Sequence, residues 1–475
     1  MARSTPLVLA FAALVACRSE AEQPPLANLP SGEETQPVAP AAPSGEAEAA
    51  EPSVPFEAIS KAVPRWGKSS ESPRPDLTRI TTDGTKVYAP TPEGVAELTI
   101  DPDVQRSALT VMRHYEIPEA SVVMIDTRTG RVLVYANYLE GKPTRDLAAL
   151  AEAPSASVFK IVTGTALVAE AHHTPQDRTC YNGGEHRISE SDLEPNEKRD
   201  KYCATLAGAM GRSLNTVFAR LAKADLKPEV LEKTARSLQY GSPLPFDVPV
   251  AASQIKLPAD TLGYARTAAG FWNTTLSPVH AAWISTTIAR GGEGVRPHVV
   301  ERVTAPDGHE VFTARAEPET IPVMSKDTAA AVTEMMQTTV SEGTSTRAFH
   351  DLDGRSFLPG LRVAGKTGTL TDAEKQRYYT WFTGFVPAEG DATPSVAIAA
   401  LVVNGPVWRV KANVVAREVL RAYYAKQGAA GVRAPSLTKK SEESTAKVTP
   451  RKSTAPSSKT TVRRPAAKHR AVAHR

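Results

Sequence analysis

Apolar residues fall at helical spacing across residues 101–115, as Val104, Leu109, Val111, Met112 and Tyr115. That period predicts a helix, with Asp101 as its N-cap and Pro102 in its first turn. The period then changes. Ala120 to Ile125 and Val132 to Tyr135 are apolar runs rich in β-branched residues, and Asp126-Thr127-Arg128-Thr129-Gly130 lies between them. This predicts a β-hairpin. Tyr378 to Val386 and Ser395 to Val403 predict two more strands, separated by a loop that includes Pro387 to Asp391. A helix is expected from about Lys411 to Lys426. Between these flanks the pattern is mostly helical. Strands at both ends of a helical middle predict an α/β (α+β) fold: a central antiparallel sheet of about five strands, built from both ends of the domain and flanked by helices, with a mostly helical subdomain.

The pattern is lost towards both ends. Residues 18–55 are Ala-, Glu- and Pro-rich, with seven Glu and one Arg, and are expected to be a disordered tether. Residues 56–97 are mixed and interrupted by proline, so they read as a lead-in to a domain spanning 98–427. Residues 428–475 are expected to be a disordered basic tail. From 433 onward it carries twelve Lys/Arg against two Glu. It is either a solvated extension or a patch for anionic polymers or phosphates. The net charge of +4 therefore belongs to the ends, and the body is nearly neutral.

Arg3 precedes an apolar run, Pro6 to Ala16, too short to span a bilayer but suited to a signal-peptide core. No run anywhere approaches the ~18 apolar residues of a membrane span. The run ends in Leu14-Val15-Ala16-Cys17, which resembles the lipobox of bacterial lipoproteins. The resemblance implies a signal peptide at 1–17, lipidation of Cys17, and a membrane-anchored lipoprotein on the periplasmic side of the cell envelope. An ordinary secretory signal with an incidental Cys17 is the alternative. Either address lies outside the cytoplasm, where an oxidising compartment favours a disulfide between Cys180 and Cys203. Two unpaired buried thiols are the other reading. Three cysteines exclude a disulfide-rich scaffold. The ten histidines show no ligand spacing, so no metal is expected. Neither a phosphate-cradling glycine loop nor an aromatic-interleaved basic face is present, so no cofactor and no specific nucleic-acid partner are expected.

Three short motifs carry chemistry. Ser-x-x-Lys occurs four times. Ser436…Lys439 and Ser444…Lys447 lie in the tail, and Ser253…Lys256 runs into Leu257-Pro258, which disfavours a helix. Only Ser157-Val158-Phe159-Lys160 opens an apolar helix. There the hydroxyl and the amine share one face. A serine hydroxyl needs a base, and lysine is a base only when burial or a nearby cation lowers its pKa. Ser213-Leu214-Asn215 offers a proton relay and an amide for a substrate carbonyl. Lys366-Thr367-Gly368-Thr369 offers a cation for a carboxylate, on an edge strand whose glycine admits substrate backbone.

In this order, the three motifs resemble those of the penicillin-binding protein transpeptidases, from about Leu98 to Lys426. Asp101 to Gln105, Thr275-Leu276-Ser277-Pro278, Glu342-Gly343-Thr344 and Trp381 to Phe385 look like the same family, in which His280 replaces a common glutamine. The resemblance implies that Ser157 is acylated by peptidoglycan stem peptides at the bond between two terminal D-alanines. It implies Lys160 as the base, Ser213 and Asn215 as relay and positioning groups, and Lys366 with Thr367 as carboxylate holders. Gly368 and Thr369 complete the strand. The N–H groups of Ser157 and Thr369 would form the oxyanion hole. β-Lactam antibiotics would acylate the same serine, and a glycan polymerase is an expected partner. A D,D-carboxypeptidase, a β-lactam sensor and a serine β-lactamase are the alternatives. Against the last, no Glu-x-x-x-Asn lies between Ser213 and Lys366. The forty or so residues between tether and domain leave no room for a glycosyltransferase domain, so a class B-like, monofunctional enzyme is expected.

Overall fold

Asp101 starts the first helix of the domain by accepting hydrogen bonds from the N–H groups of Asp103 and Val104. This is helix α1 (Pro102–His114), in a computed structural model that describes residue 66 and residues 73–183, 187–386 and 395–436. The expected signal peptide with Cys17, the tether, the loop at 387–391 and the tail beyond 436 lie outside the described residues. Val104, Ala108, Val111 and Met112 form the buried stripe of α1.

The hairpin follows as β1 (Glu119–Asp126) and β2 (Val132–Leu139). Asp126 accepts from the N–H groups of Arg128 and Thr129, and Gly130 takes a φ of +78° to complete the turn. Later elements are α2 (Lys160–Ala169), α3 (Leu206–Arg212), α4 (Asn215–Asp225), α5 (Thr261–Ala268), α6 (Pro278–Ala289) and α7 (Lys326–Ser341). The chain closes with β3 (Ala364–Asp372), β4 (Arg377–Val386), β5 (Val396–Asn404) and α8 (Ala412–Lys426).

The five strands form one antiparallel sheet in the order β3-β4-β5-β1-β2. The two ends of the domain meet where β5 pairs β1, with Val402 opposite Ala120 and Ile398 opposite Met124. Every residue of β5 is buried, because helices cover both faces of the sheet. Alternate residues still divide between two cores. Val122, Met124, Ile398 and Ala400 pack with α1 and α8, while Val123, Ile125, Ala397 and Ala399 pack with α2 and α6. Strand β3 lies at the edge of the sheet, which leaves one side of its backbone open.

Two parts of the sequence reading differ from the structure. Residues 87–98, across the end of the expected lead-in, form two strands, Val87–Thr91 and Gly94–Leu98. They build a second five-stranded sheet with Thr81–Thr82, Val300–Thr304 and Glu310–Thr313. The middle of the chain is thus less helical than its pattern suggested. Runs of five residues or fewer are too short for period to distinguish strand from loop.

Candidate active site

The segment that carries Ser157 is a turn held on several sides. Ala153–Pro154 pairs with Thr275–Leu276, and Ala156–Phe159 forms a single 3-10 turn that leads into α2. The N–H of Ser155 donates to Thr274 O at 3.1 Å, and Trp381 Nε1 on β4 donates to Pro154 O at 2.9 Å. Between them Ala156 takes a φ of +49°, a left-handed conformation that costs a residue with a side chain ~1 kcal/mol or more. Gly270 permits this geometry: a Cβ there would lie 2.6 Å from Ala156 O and 2.8 Å from Ser157 Cα. The turn leaves Ser157 half-buried, while Ala156, Val158 and Phe159 are buried.

Ser157 Oγ lies 2.9 Å from Lys160 Nζ. Lys160 is wholly buried, and its other partners are Asn215 Oδ1 at 2.6 Å and the carbonyl of Ala269. No carboxylate is among them. Burial first, and then the charge of Lys366, hold its pKa well below the usual lysine range. Ser213 and Asn215 come from the link between α3 and α4, where Ser213 is left-handed at φ +59°. Its Oγ accepts from Lys366 Nζ at 2.9 Å, and Lys366 also donates to Thr367 O at 2.8 Å. Lys366 is wholly buried as well, and burial lowers its pKa to about 7.

Ser157, Lys160 and Asn215 thus form one hydrogen-bonded group and Ser213 and Lys366 another; Leu214 joins the two along the chain, and the charge of Lys366 acts on Lys160. Edge strand β3 forms the other wall of the cleft they line. Thr367 is half-buried there and Thr369 exposed, and a Cβ on Gly368 would meet Ala156 Cβ at 3.2 Å. Among the described residues, no cluster of His, Cys, Asp and Glu is arranged to hold a metal.

Cys180 and Cys203 are directly paired across a two-stranded ribbon, Arg178–Tyr181 with Tyr202–Thr205, and form a disulfide. The ribbon is tied to the Asn215 helix. Arg220 on α4 donates to Cys180 O at 2.8 Å and pairs with Asp200 at 2.7 Å, and Thr216 Oγ1 donates to Gly183 O at 2.9 Å. His280 stands outside the cleft. It bonds Ser253 Oγ at 2.7 Å and Leu238 O at 2.6 Å, and burial lowers its pKa to about 4, so it is a neutral structural group.

The sequence reading did not find Ala269, Gly270, Trp381 as an anchor, or Thr344, whose hydroxyl lies 2.6 Å from that of Thr367. Gly343-Thr344 and Trp381 lie in stretches that resemble the family, without a role assigned to them, and Ala269 and Gly270 carry no local signal.

Residues 120–425 match the family model of the penicillin binding protein transpeptidase domain. The chain belongs to this family. Peptidoglycan D,D-transpeptidase PbpA of Mycolicibacterium smegmatis is 27% identical over 348 residues, covering 66% of this chain and 68% of the relative. Stage V sporulation protein D of Bacillus subtilis is 24% identical, covering 67% of this chain and 51% of the relative. Two solved structures share the fold. The D,D-transpeptidase domain of a peptidoglycan glycosyltransferase from Eggerthella lenta aligns with a TM-score of 0.57 at 24% identity, covering 70% of this chain and 83% of that one. PBPA from Mycobacterium tuberculosis aligns with a TM-score of 0.56 at 24% identity, covering 69% and 80%. As a penicillin-binding transpeptidase domain, the chain brings Lys160 to Asn215, 55 residues on, and Ser213 to Lys366, 153 residues on.

Proposed function

We propose that the protein is a serine D,D-transpeptidase that cross-links peptidoglycan stem peptides during cell-wall synthesis. The observation that carries this reading is the 2.9 Å contact between Ser157 Oγ and Lys160 Nζ, an amine wholly buried with its pKa well below normal. A neutral Lys160 takes the Ser157 proton as Oγ attacks the carbonyl between two terminal D-alanines. The N–H groups of Ser157 and Thr369 receive the oxyanion, each such donor contributing about 3 kcal/mol. The proton returns through Ser213 to the leaving D-alanine amine, and an acyl-Ser157 ester remains. An acceptor amine then displaces Ser157 and forms the cross-link. Asn215 positions the substrate, and Lys366 with Thr367 holds its terminal carboxylate. A β-lactam presents a strained amide and a carboxylate to the same groups.

Related proteins support the reading. PbpA is named a peptidoglycan D,D-transpeptidase, and penicillin-binding protein A of M. tuberculosis is described in acyl-enzyme complexes with imipenem and penicillin G. The lipobox-like Cys17 supports a membrane-anchored lipoprotein on the periplasmic side of the cell envelope, at the inner or the outer membrane.

Fluorescent penicillin tests the proposal. Stable label is expected on the wild type and none on Ser157→Ala, while Ser253→Ala, Ser436→Ala and Ser444→Ala keep it. Rapid turnover of label would instead identify a β-lactamase. Product analysis with a stem peptide and a D-amino-acid acceptor then separates transpeptidation from release of D-alanine to water.

A further inference from the structure

One hydroxyl at the carboxylate end of the cleft has no part in the scheme above. Thr344 is exposed, between α7 and β3, with Oγ1 2.6 Å from Thr367 Oγ1. Its position is built into the packing. The Thr344 N–H donates to Gly211 O at 3.0 Å, two residues before Ser213. A Cβ on Gly343 would lie 2.2 Å from Gly211 O, and a Cβ on Gly211 would lie 2.5 Å from Thr338 Oγ1. Thr338 Oγ1 in turn reaches Ala207 O at 2.7 Å. The end of α7 and the end of α3 thus interlock through two glycines, and Thr344 bridges that joint to edge strand β3.

The count of protons then matters. Thr344 has one hydroxyl proton and two acceptors in range, Thr367 Oγ1 at 2.6 Å and Gly211 O at 3.3 Å. Either hydroxyl can donate across the shorter contact, which has the normal length of an O–H···O bond; the longer contact exceeds it, so Gly211 O is the weaker acceptor for the Thr344 proton. When Thr344 donates to Thr367, the Thr367 proton is free to turn into the cleft. Lys366 spends two of its three ammonium protons on Ser213 and Thr367 O, so one remains beside it.

We propose that Thr344 is a positioning residue for the carboxylate subsite: by donating to Thr367 Oγ1 it commits the Thr367 proton to the carboxylate of the stem peptide or the β-lactam. The proposal rests on the transpeptidase reading. Its chemistry is that of a hydrogen-bond chain ending on an anion, which strengthens each member.

The test is the second-order acylation rate constant of the full chain with benzylpenicillin and with its methyl ester, for wild type, Thr344→Val and Thr344→Ser. Valine keeps the shape and removes the hydroxyl. Thr344→Val is expected to slow the free acid about tenfold, the size of one hydrogen bond to a charged group, and the ester less than about twofold. Thr344→Ser is expected to restore the acid rate. Equal slowing of acid and ester would show structural damage and overturn the proposal, as would an unchanged acid rate or failure of serine to restore it. If benzylpenicillin fails to acylate Ser157 of the wild type at all, the transpeptidase reading falls instead.

Discussion

Two buried amines set the electrostatics of the cleft, and they are asked to do opposite things. In the proposed mechanism Lys160 is neutral, to accept the Ser157 proton, and Lys366 is charged, to hold a carboxylate. Lys160 is lowered by burial and by the charge of Lys366, and Lys366 by burial alone. Replacing Lys366 by Met removes the neighbouring charge, so the Lys160 pKa is expected to rise. The acid limb of acylation by a neutral ester should then move to higher pH, which rate measurements between pH 5 and 9 would detect. Asn215→Ala removes the Oδ1 acceptor of Lys160 and is expected to slow acylation ~10-fold or more in stopped-flow assays, the loss of one hydrogen bond to an ionisable group.

At the level of elements, the nucleophile turn depends on neighbours far away in sequence. Trp381→Phe keeps an aromatic side chain but removes the donor to Pro154 O and part of the indole volume. About 1–3 kcal/mol of stability is expected to be lost, measured by chemical denaturation, together with slower acylation as the turn relaxes. What the sequence makes legible is local. The hairpin around Asp126 to Gly130, the helix capped by Asp101, and the (i, i+3) pairing of Ser157 with Lys160 all arise from neighbours along the chain. The five-residue strands at 87–98 are too short to show a period. The left-handed Ala156 carries no compositional mark, since a glycine elsewhere, Gly270, makes room for it. The Ala269 carbonyl beside Lys160 has no side-chain signature, because any residue supplies a carbonyl. Motif order indicated which clusters meet, but not that Thr344 would join them.

At the scale of the molecule, the cleft lies between an edge strand and a helical region that carries its own cross-link. The Cys180–Cys203 disulfide closes a loop next to the Asn215 helix, and Arg220 ties that loop to α4. Cys203→Ser is expected to cost about 3 kcal/mol by the chain-entropy argument, read as a lower denaturant midpoint. Cys17→Ala is expected to release the protein from membranes, checked by fractionation. The account as a whole depends on a base beside Ser157 that is uncharged near neutral pH. The direct measurement is the pH dependence of the Ser157 acylation rate with a neutral β-lactam ester, whose binding does not require the charge of Lys366. The account predicts a rate already on its plateau at neutral pH and falling only as acid protonates Lys160. A rate that keeps rising tenfold per pH unit up to about 10, the titration of an ordinary lysine, would contradict it.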